Sequence, residues 1–360
     1  MDAPASEGTI AGVGHRRWLD LLLIIATLAL LVVFARHVDW ASTWSAVGRA
    51  DVTLLALAVA ADLASIVVKG VRWVVLLSAV GVRGVMAGIR DTIVGAALNN
   101  VLIANTGDAA RAAISGRRSR TSSADVLAAL AVDRFCDVAV YVALFGALAL
   151  AVTLPGPFAR WSVPAVIALM AVTLLSGSLV ARRAPAASVR RATPRGETPP
   201  ANGATPGMMA RAARGVSRYS RRLTRSTASV AAGRRLALAL ALSALVWAGQ
   251  WATFHLTARA AALPISRPGS LLAVLAVNAS FVVRVTPGNV GLFQLLYVLA
   301  ATATGLERNR ALAVGLLIQL VQYIPVTGLG LLLAPGFVRD SWRGQRSPIA
   351  APPSDSTTAG

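Results

Sequence analysis

Apolar runs of about 17 to 25 residues recur along this chain, and at 1.5 Å of rise per residue each is long enough to cross a hydrocarbon layer of about 30 Å. Inside lipid no water satisfies the backbone, so a spanning segment makes its own hydrogen bonds, and runs of this length do so as α-helices. Composition agrees: of 360 residues, 56% are apolar and 14% charged, more apolar surface than a soluble domain of this size buries. The expectation is an all-α polytopic membrane protein.

The first run, Trp18 to Phe34, follows His15, Arg16 and Arg17 in the manner of a secretory signal. Arg36, His37, Asp39 and Trp40 come next, in place of small residues suited to cleavage, so the run is read as a retained span. The single cysteine, Cys136, excludes an internal disulfide and a cysteine-rich metal site.

The formal net charge is +20. Arginines crowd the segment from Arg182 to Arg235 beside Pro185, Pro194, Pro199, Pro200 and Pro206, the composition of a basic loop without a core of its own. Such a loop stays on the cytoplasmic side and attracts anionic lipid. A nucleic-acid arm would interleave aromatic residues, and this segment holds only Tyr219.

With the basic segments inside, a topology follows. Residues 1–16 form a cytoplasmic tail and 17–154 a first membrane half, in which Trp18 to Phe34 runs outward and Val52 to Ala79 returns. Asp91 to Ala104 is short for a crossing, and Arg111, Arg117, Arg118 and Arg120 beyond it also belong inside. A hairpin turning near Asn105, Thr106, Gly107 and Asp108 meets both constraints. Ser122 with Asp125 then caps a long helix reaching Leu154. Residues 155–181 hold a Pro155-Gly156-Pro157 turn and a span from Trp161 to Ala181, and 182–235 is the basic loop. The rest of the second half, 236–334, has a span from Leu236 to Thr257, two short apolar arms split by Thr286 to Gly291, and a last crossing from Arg310 to Leu333; 335–360 is a cytoplasmic disordered tail. Six full spans plus two re-entrant or broken hairpins give two halves of opposite orientation, an arrangement that points to a transporter site near the bilayer midplane. Eight complete spans is the alternative.

Charges inside the apolar runs carry the chemistry. Asp62, Ser65, Lys69 and Arg72 fall in one helical stripe, and Lys69 is the only lysine among 35 basic residues. An amine at that depth is costly unless paired, and Asp62, Asp133 and Asp137 are its candidate partners. Two readings stay open: Lys69 and Arg72 snorkel to the inner surface, or they cradle a phosphate head group. Asp133, Arg134 and Asp137 put two carboxylates one turn apart, either as an ion-pair network with Lys69, Arg72 or Arg111 or as direct substrate contacts. Arg284 precedes the Pro287-Gly288-Asn289-Val290-Gly291 break, where freed backbone groups can face a ligand. Gln250, Asn278, Gln294, Gln319 and Gln322 add neutral polar groups of the kind that joins helices.

Lys69-Gly70-Val71-Arg72-Trp73, Asn99-Asn100-Val101-Leu102 leading to Gly107-Asp108-Ala109-Ala110-Arg111, Asp133-Arg134-Phe135-Cys136-Asp137 and Pro287-Gly288-Asn289-Val290-Gly291 together resemble the lysylphosphatidylglycerol synthase transmembrane region family. The similarity runs from about Arg17 to Leu333 of this flippase-like family of bacterial and archaeal membrane proteins. The resemblance implies lipid handling: fused members join this membrane part, which moves an aminoacylated phospholipid between leaflets, to a soluble domain that makes the lipid. That synthase domain is not expected here. This chain has Ile103 and Asn105 where the family usually has a proline and a basic residue, and Gln294 where it often has glutamate.

The leading expectation is a flippase in the cytoplasmic membrane, both termini inside, for an anionic phospholipid or polyprenyl-phosphate-linked glycolipid. Lys69, Arg72, Asn99, Asn100, Gly107, Asp108 and Arg111 would bind substrate on the inner side, and Arg284, Pro287, Gly288, Asn289 and Gly291 on the outer side. Asp62, Asp133, Arg134 and Asp137 would form the charge network. The alternative is a non-transporting scaffold for an envelope-lipid enzyme. A lipid-synthesising enzyme or glycosyltransferase is the expected protein partner, and no cofactor, metal or catalytic residue is expected: the three histidines, His15, His37 and His255, are scattered, and no nucleophile triad or phosphate-cradling glycine loop occurs.

Overall fold

The computed structural model describes residues 48–101, 106–119, 121–153, 226–279 and 287–346. Among them the chain is helical, without strands. The helices are α1 (Val52–Ser78), α2 (Val85–Val101), α3 (Thr106–Arg118), α4 (Ser123–Ala151), α5 (Gly233–Ala260), α6 (Arg267–Ala279), a 3-10 turn (Pro287–Asn289), α7 (Leu292–Ala303) and α8 (Arg308–Arg346). Val52–Ser78, Ser123–Ala151, Gly233–Ala260 and Arg308–Gly336 are long and apolar enough to cross a membrane. This is a multi-pass membrane protein. The expected spans Trp18 to Phe34 and Trp161 to Ala181, most of the basic loop and the C-terminal tail lie outside the described residues.

Local chemistry sets the helix ends. The Ser122 side chain accepts a hydrogen bond from the Asp125 amide at 3.3 Å and caps α4 as its sequence predicts. That helix stops at Ala151, short of the expected Leu154, with Val152 extended as its C-cap. Leu154 precedes Pro155, whose ring disfavours helical backbone at the residue before it. Helix α2 begins at Val85, six residues before the expected Asp91, because the chain turns at Gly84 with φ +124°. Thr106, Gly107 and Asp108, expected in a turn, form the first turn of α3, where the helix dipole favours the Asp108 carboxylate.

The chain divides into two compact units: 1–62, 98–106 and 250–325 make the first, and 63–97, 107–249 and 326–360 the second. In the first, Phe254 stacks obliquely on Phe293 and Tyr297, with centroids 5.8 and 6.1 Å apart. Gly315 leaves room for the Tyr297 ring, since a Cβ there would come within 3.1 Å of it. Ser266 caps α6 by accepting from the Gly269 amide at 3.1 Å. The second unit packs Trp73, Leu76 and Leu77 of α1 against Ala112 of α3 and Val126, Ala129, Val132 and Cys136 of α4. There α2 and α3 lie backbone to backbone: a Cβ on Gly95 would stand 2.9 Å from the Gly107 carbonyl and 3.3 Å from the Arg111 Cβ.

That approach admits no side chain. Gly95→Val should cost about 1–3 kcal/mol by overpacking and lower the thermal midpoint of the detergent-purified protein. An unchanged midpoint would show that α2 and α3 are not held this closely.

Candidate functional site

In the second unit, a charged cluster is built from three helices. Arg72 projects from α1 into a site where it is 0% exposed, and Asp133 of α4 is equally buried. Arg72 Nε stands 2.9 Å from Asp133 Oδ1, and its Nη1 donates to Asp137 Oδ1 and to Ser243 Oγ of α5, each at 2.5 Å. Asp133 Oδ2 accepts from Arg111 Nη2 of α3 at 3.0 Å. One carboxylate thus sits between two buried guanidiniums and ties α1, α3 and α4 together. Arg111 also lies 4.3 Å over the Trp73 ring, a cation-π contact that holds its guanidinium flat. Asp108 pairs with Arg134 and, at 3.4 Å, with Arg111.

A second ion-pair group, which the sequence reading missed, braces α2 against α3. Asp91 is 0% exposed and binds Arg118 Nη2 at 2.7 Å, while Ser115 Oγ donates to it at 3.1 Å. Trp73 Nε1 donates to the same Ser115 hydroxyl at 3.3 Å, joining this brace to the first cluster. A carboxylate at the edge of the short apolar run from Asp91 to Ala104 was the available signal.

Lys69 is the exception among these cations. It is half-buried on α1 beside Asp137, Arg134, Asp108 and Arg72, yet no ion pair or hydrogen bond engages it among the described residues. The carboxylates expected to pair with it, Asp133 and Asp137, are bound by arginines. Among the described residues, four cations, Lys69, Arg72, Arg111 and Arg134, face three carboxylates, Asp108, Asp133 and Asp137, so one positive charge is left over in this cluster. Arg72 Nη2 and Arg111 Nε are also buried donors without acceptors among the described residues.

In the first unit, the Pro287 to Gly291 break is a fixed structure. Gly288, Asn289 and Gly291 have φ of +60°, +57° and +90°, and a Cβ on Gly288 would stand 2.9 Å from the Asn100 carbonyl and 3.1 Å from the Tyr323 ring. Only glycine fits that close approach in left-handed backbone. The Gly288 carbonyl accepts from Gln319 Nε2 at 2.8 Å and from the Tyr323 hydroxyl at 2.5 Å. Gln294 Oε1 accepts from the Gly291 amide at 2.7 Å, and its Nε2 donates to Gln319. Asn100 and the Pro287 to Gly291 motif, far apart in sequence, therefore meet here. Asn99 is half-buried in the last turn of α2, and Asp62 belongs to this unit with Gln322 as its partner. Tyr323 was not anticipated. Arg284 lies outside the described residues.

Residues 17–330 match the family described as lysylphosphatidylglycerol synthase TM region. The chain belongs to that family. Neither a curated protein nor a solved structure matches it. Membership places the protein in a membrane, lipid-related family, and the four motif pieces of the resemblance now have positions. In this family member, Lys69-Arg72, Gly107-Asp108-Arg111 and Asp133-Arg134-Asp137 form the charged cluster of one unit, while Asn100 and Pro287 to Gly291 form the backbone break of the other.

The two kinds of cation predict different mutants. Asp133→Asn removes the carboxylate that Arg72 and Arg111 share and should destabilise on the order of 3–5 kcal/mol, whereas Lys69→Met removes a cation that makes no ion pair among the described residues and should leave the thermal midpoint unchanged or raised. Equal destabilisation by both substitutions would contradict this assignment.

Proposed function

We propose that this protein moves an anionic phospholipid or a polyprenyl-phosphate-linked glycolipid across the cytoplasmic membrane, and that Lys69 takes the lipid phosphate. The observation that carries the reading is the amine without an ion pair: among the described residues, the carboxylates around Lys69 are already held by arginines. A phosphate ester would neutralise the surplus charge and offer acceptors to buried donors such as Arg72 Nη2 and Arg111 Nε. Membership of a membrane, lipid-related family supports a lipid as the carrier of that phosphate.

In this reading the protein is not an enzyme. The arginine-rich ends of its helices face the cytoplasm, and two halves of opposite orientation, each with a broken hairpin, supply the moving parts. A lipid-synthesising enzyme or glycosyltransferase supplies the substrate. A second reading, a non-transporting scaffold for such an enzyme, draws on the arginine pairing of Asp133 and Asp91, which also suits a purely structural network.

Proteoliposomes carrying head-group-labelled phosphatidylglycerol distinguish the two. We expect wild-type protein to accelerate leaflet exchange, Lys69→Arg to retain it, and Lys69→Met, with an unaltered melting profile, to lose at least tenfold. Exchange that survives Lys69→Met removes Lys69 from the mechanism. Folded wild-type protein that moves neither phosphatidylglycerol nor polyprenyl-phosphate lipids leaves the scaffold.

A further inference from the structure

Asp62 stands in the interior of α1, ten residues from its start, on a helix about 40 Å long by its rise per residue. Its side chain is 5% exposed. Its hydrogen-bond partner among the described residues is neutral: Gln322 Nε2 of α8 donates to Oδ1 across a long 3.5 Å. Oδ2 is buried and has no hydrogen-bond partner. Asp133 has two guanidiniums; Asp62 has no cation at all among the described residues.

The elements packed here make that isolation chemical. Helix α5 reaches α1 through Thr253, whose hydroxyl donates to the Ala58 carbonyl at 3.3 Å, and α8 reaches it through Gln322. The titratable groups those helices carry in this unit are engaged elsewhere. Tyr323 donates to the Gly288 carbonyl, His255 Nδ1 is 2.8 Å from Ser270 Oγ, and Arg310 donates to the Ala262 carbonyl at 3.0 Å. Arg259 and Arg308 stand at helix ends, and no charged group acts on Asp62. Along α1 the next charges are Lys69 and Arg72, seven and ten residues on. An ionised carboxylate so placed would forfeit its hydration and gain no counter-ion, and burial of that kind is relieved by neutralisation.

We propose that Asp62 is a proton-binding site that couples this protein to the proton gradient. In the state described, the carboxyl group holds a proton on oxygen; when the site opens to water on the other side, the O–H bond breaks, the proton passes to water and the carboxylate is left solvated. The coupling clause rests on the transport reading above, while protonation of Asp62 stands independently of it.

Two measurements separate these. Infrared difference spectra of reconstituted wild-type protein, titrated from neutral to alkaline pH, should show loss of a protonated-carboxyl C=O band that is absent from Asp62→Asn and retained in Asp62→Glu. Leaflet exchange of labelled phosphatidylglycerol should rise severalfold in wild type when a pH gradient is imposed and be indifferent to the gradient in Asp62→Asn. A wild-type spectrum without an Asp62-dependent band overturns the proposal. A band with gradient-independent exchange in wild type removes the coupling. A band in protein that moves no lipid keeps the proton site and sinks the transport reading instead.

Discussion

A single carboxylate organises the charged unit. Asp133, fully buried on α4, is clasped by Arg72 from α1 at 2.9 Å and by Arg111 from α3 at 3.0 Å. Burying any one of these charges alone would cost several kcal/mol, so each tolerates its position only because the others are present. Three helices are thereby fixed at one point. Trp73 lies under Arg111 and donates to Ser115, Ser115 donates to Asp91, and Asp91 binds Arg118. The hairpin of α2 and α3, close enough that Gly95 admits no side chain, hangs on that chain of contacts.

Lys69 acquires its meaning from this network. A cation half-buried next to carboxylates would ordinarily be a structural partner, but Asp133, Asp137 and Asp108 are committed to arginines, whose planar forks engage two acceptors at once. The ammonium is left as a compact charge with no ion pair among the described residues. Asp62, in the other unit, is a buried carboxyl group with an amide as its partner and no cation among the described residues. Arginines and aspartates that meet one another build the fold, and function is assigned to Lys69 and Asp62, which make no ion pair among the described residues.

The helical membrane class was legible because length and hydropathy alone distinguish a span from a soluble helix. The Ser122 cap was legible because its chemistry is local. The Asp133-Arg134-Asp137 cluster stood out because charges inside an apolar run are costly, and α-helical spacing placed Arg72 and Lys69 on the same stripe. Partner choice was not legible. Nothing local says that Asp133 takes Arg72 and Arg111 rather than Lys69, or that the Asn100 carbonyl meets Gly288, because those contacts join segments far apart in sequence. Asp91 stands at the edge of its apolar run in sequence, and only the start of α2 at Val85 places it inside a helix.

The uniqueness of Lys69 makes the central claim directly measurable. Protein labelled with lysine carrying 13C at Cε has one side-chain lysine resonance, which reports the environment of this ammonium alone. In nonionic detergent titrated with phosphatidylglycerol, that resonance should shift saturably, and it should not move with an uncharged diacylglycerol. A resonance indifferent to both lipids, in folded protein, would contradict the claim that the Lys69 ammonium is kept for a lipid phosphate.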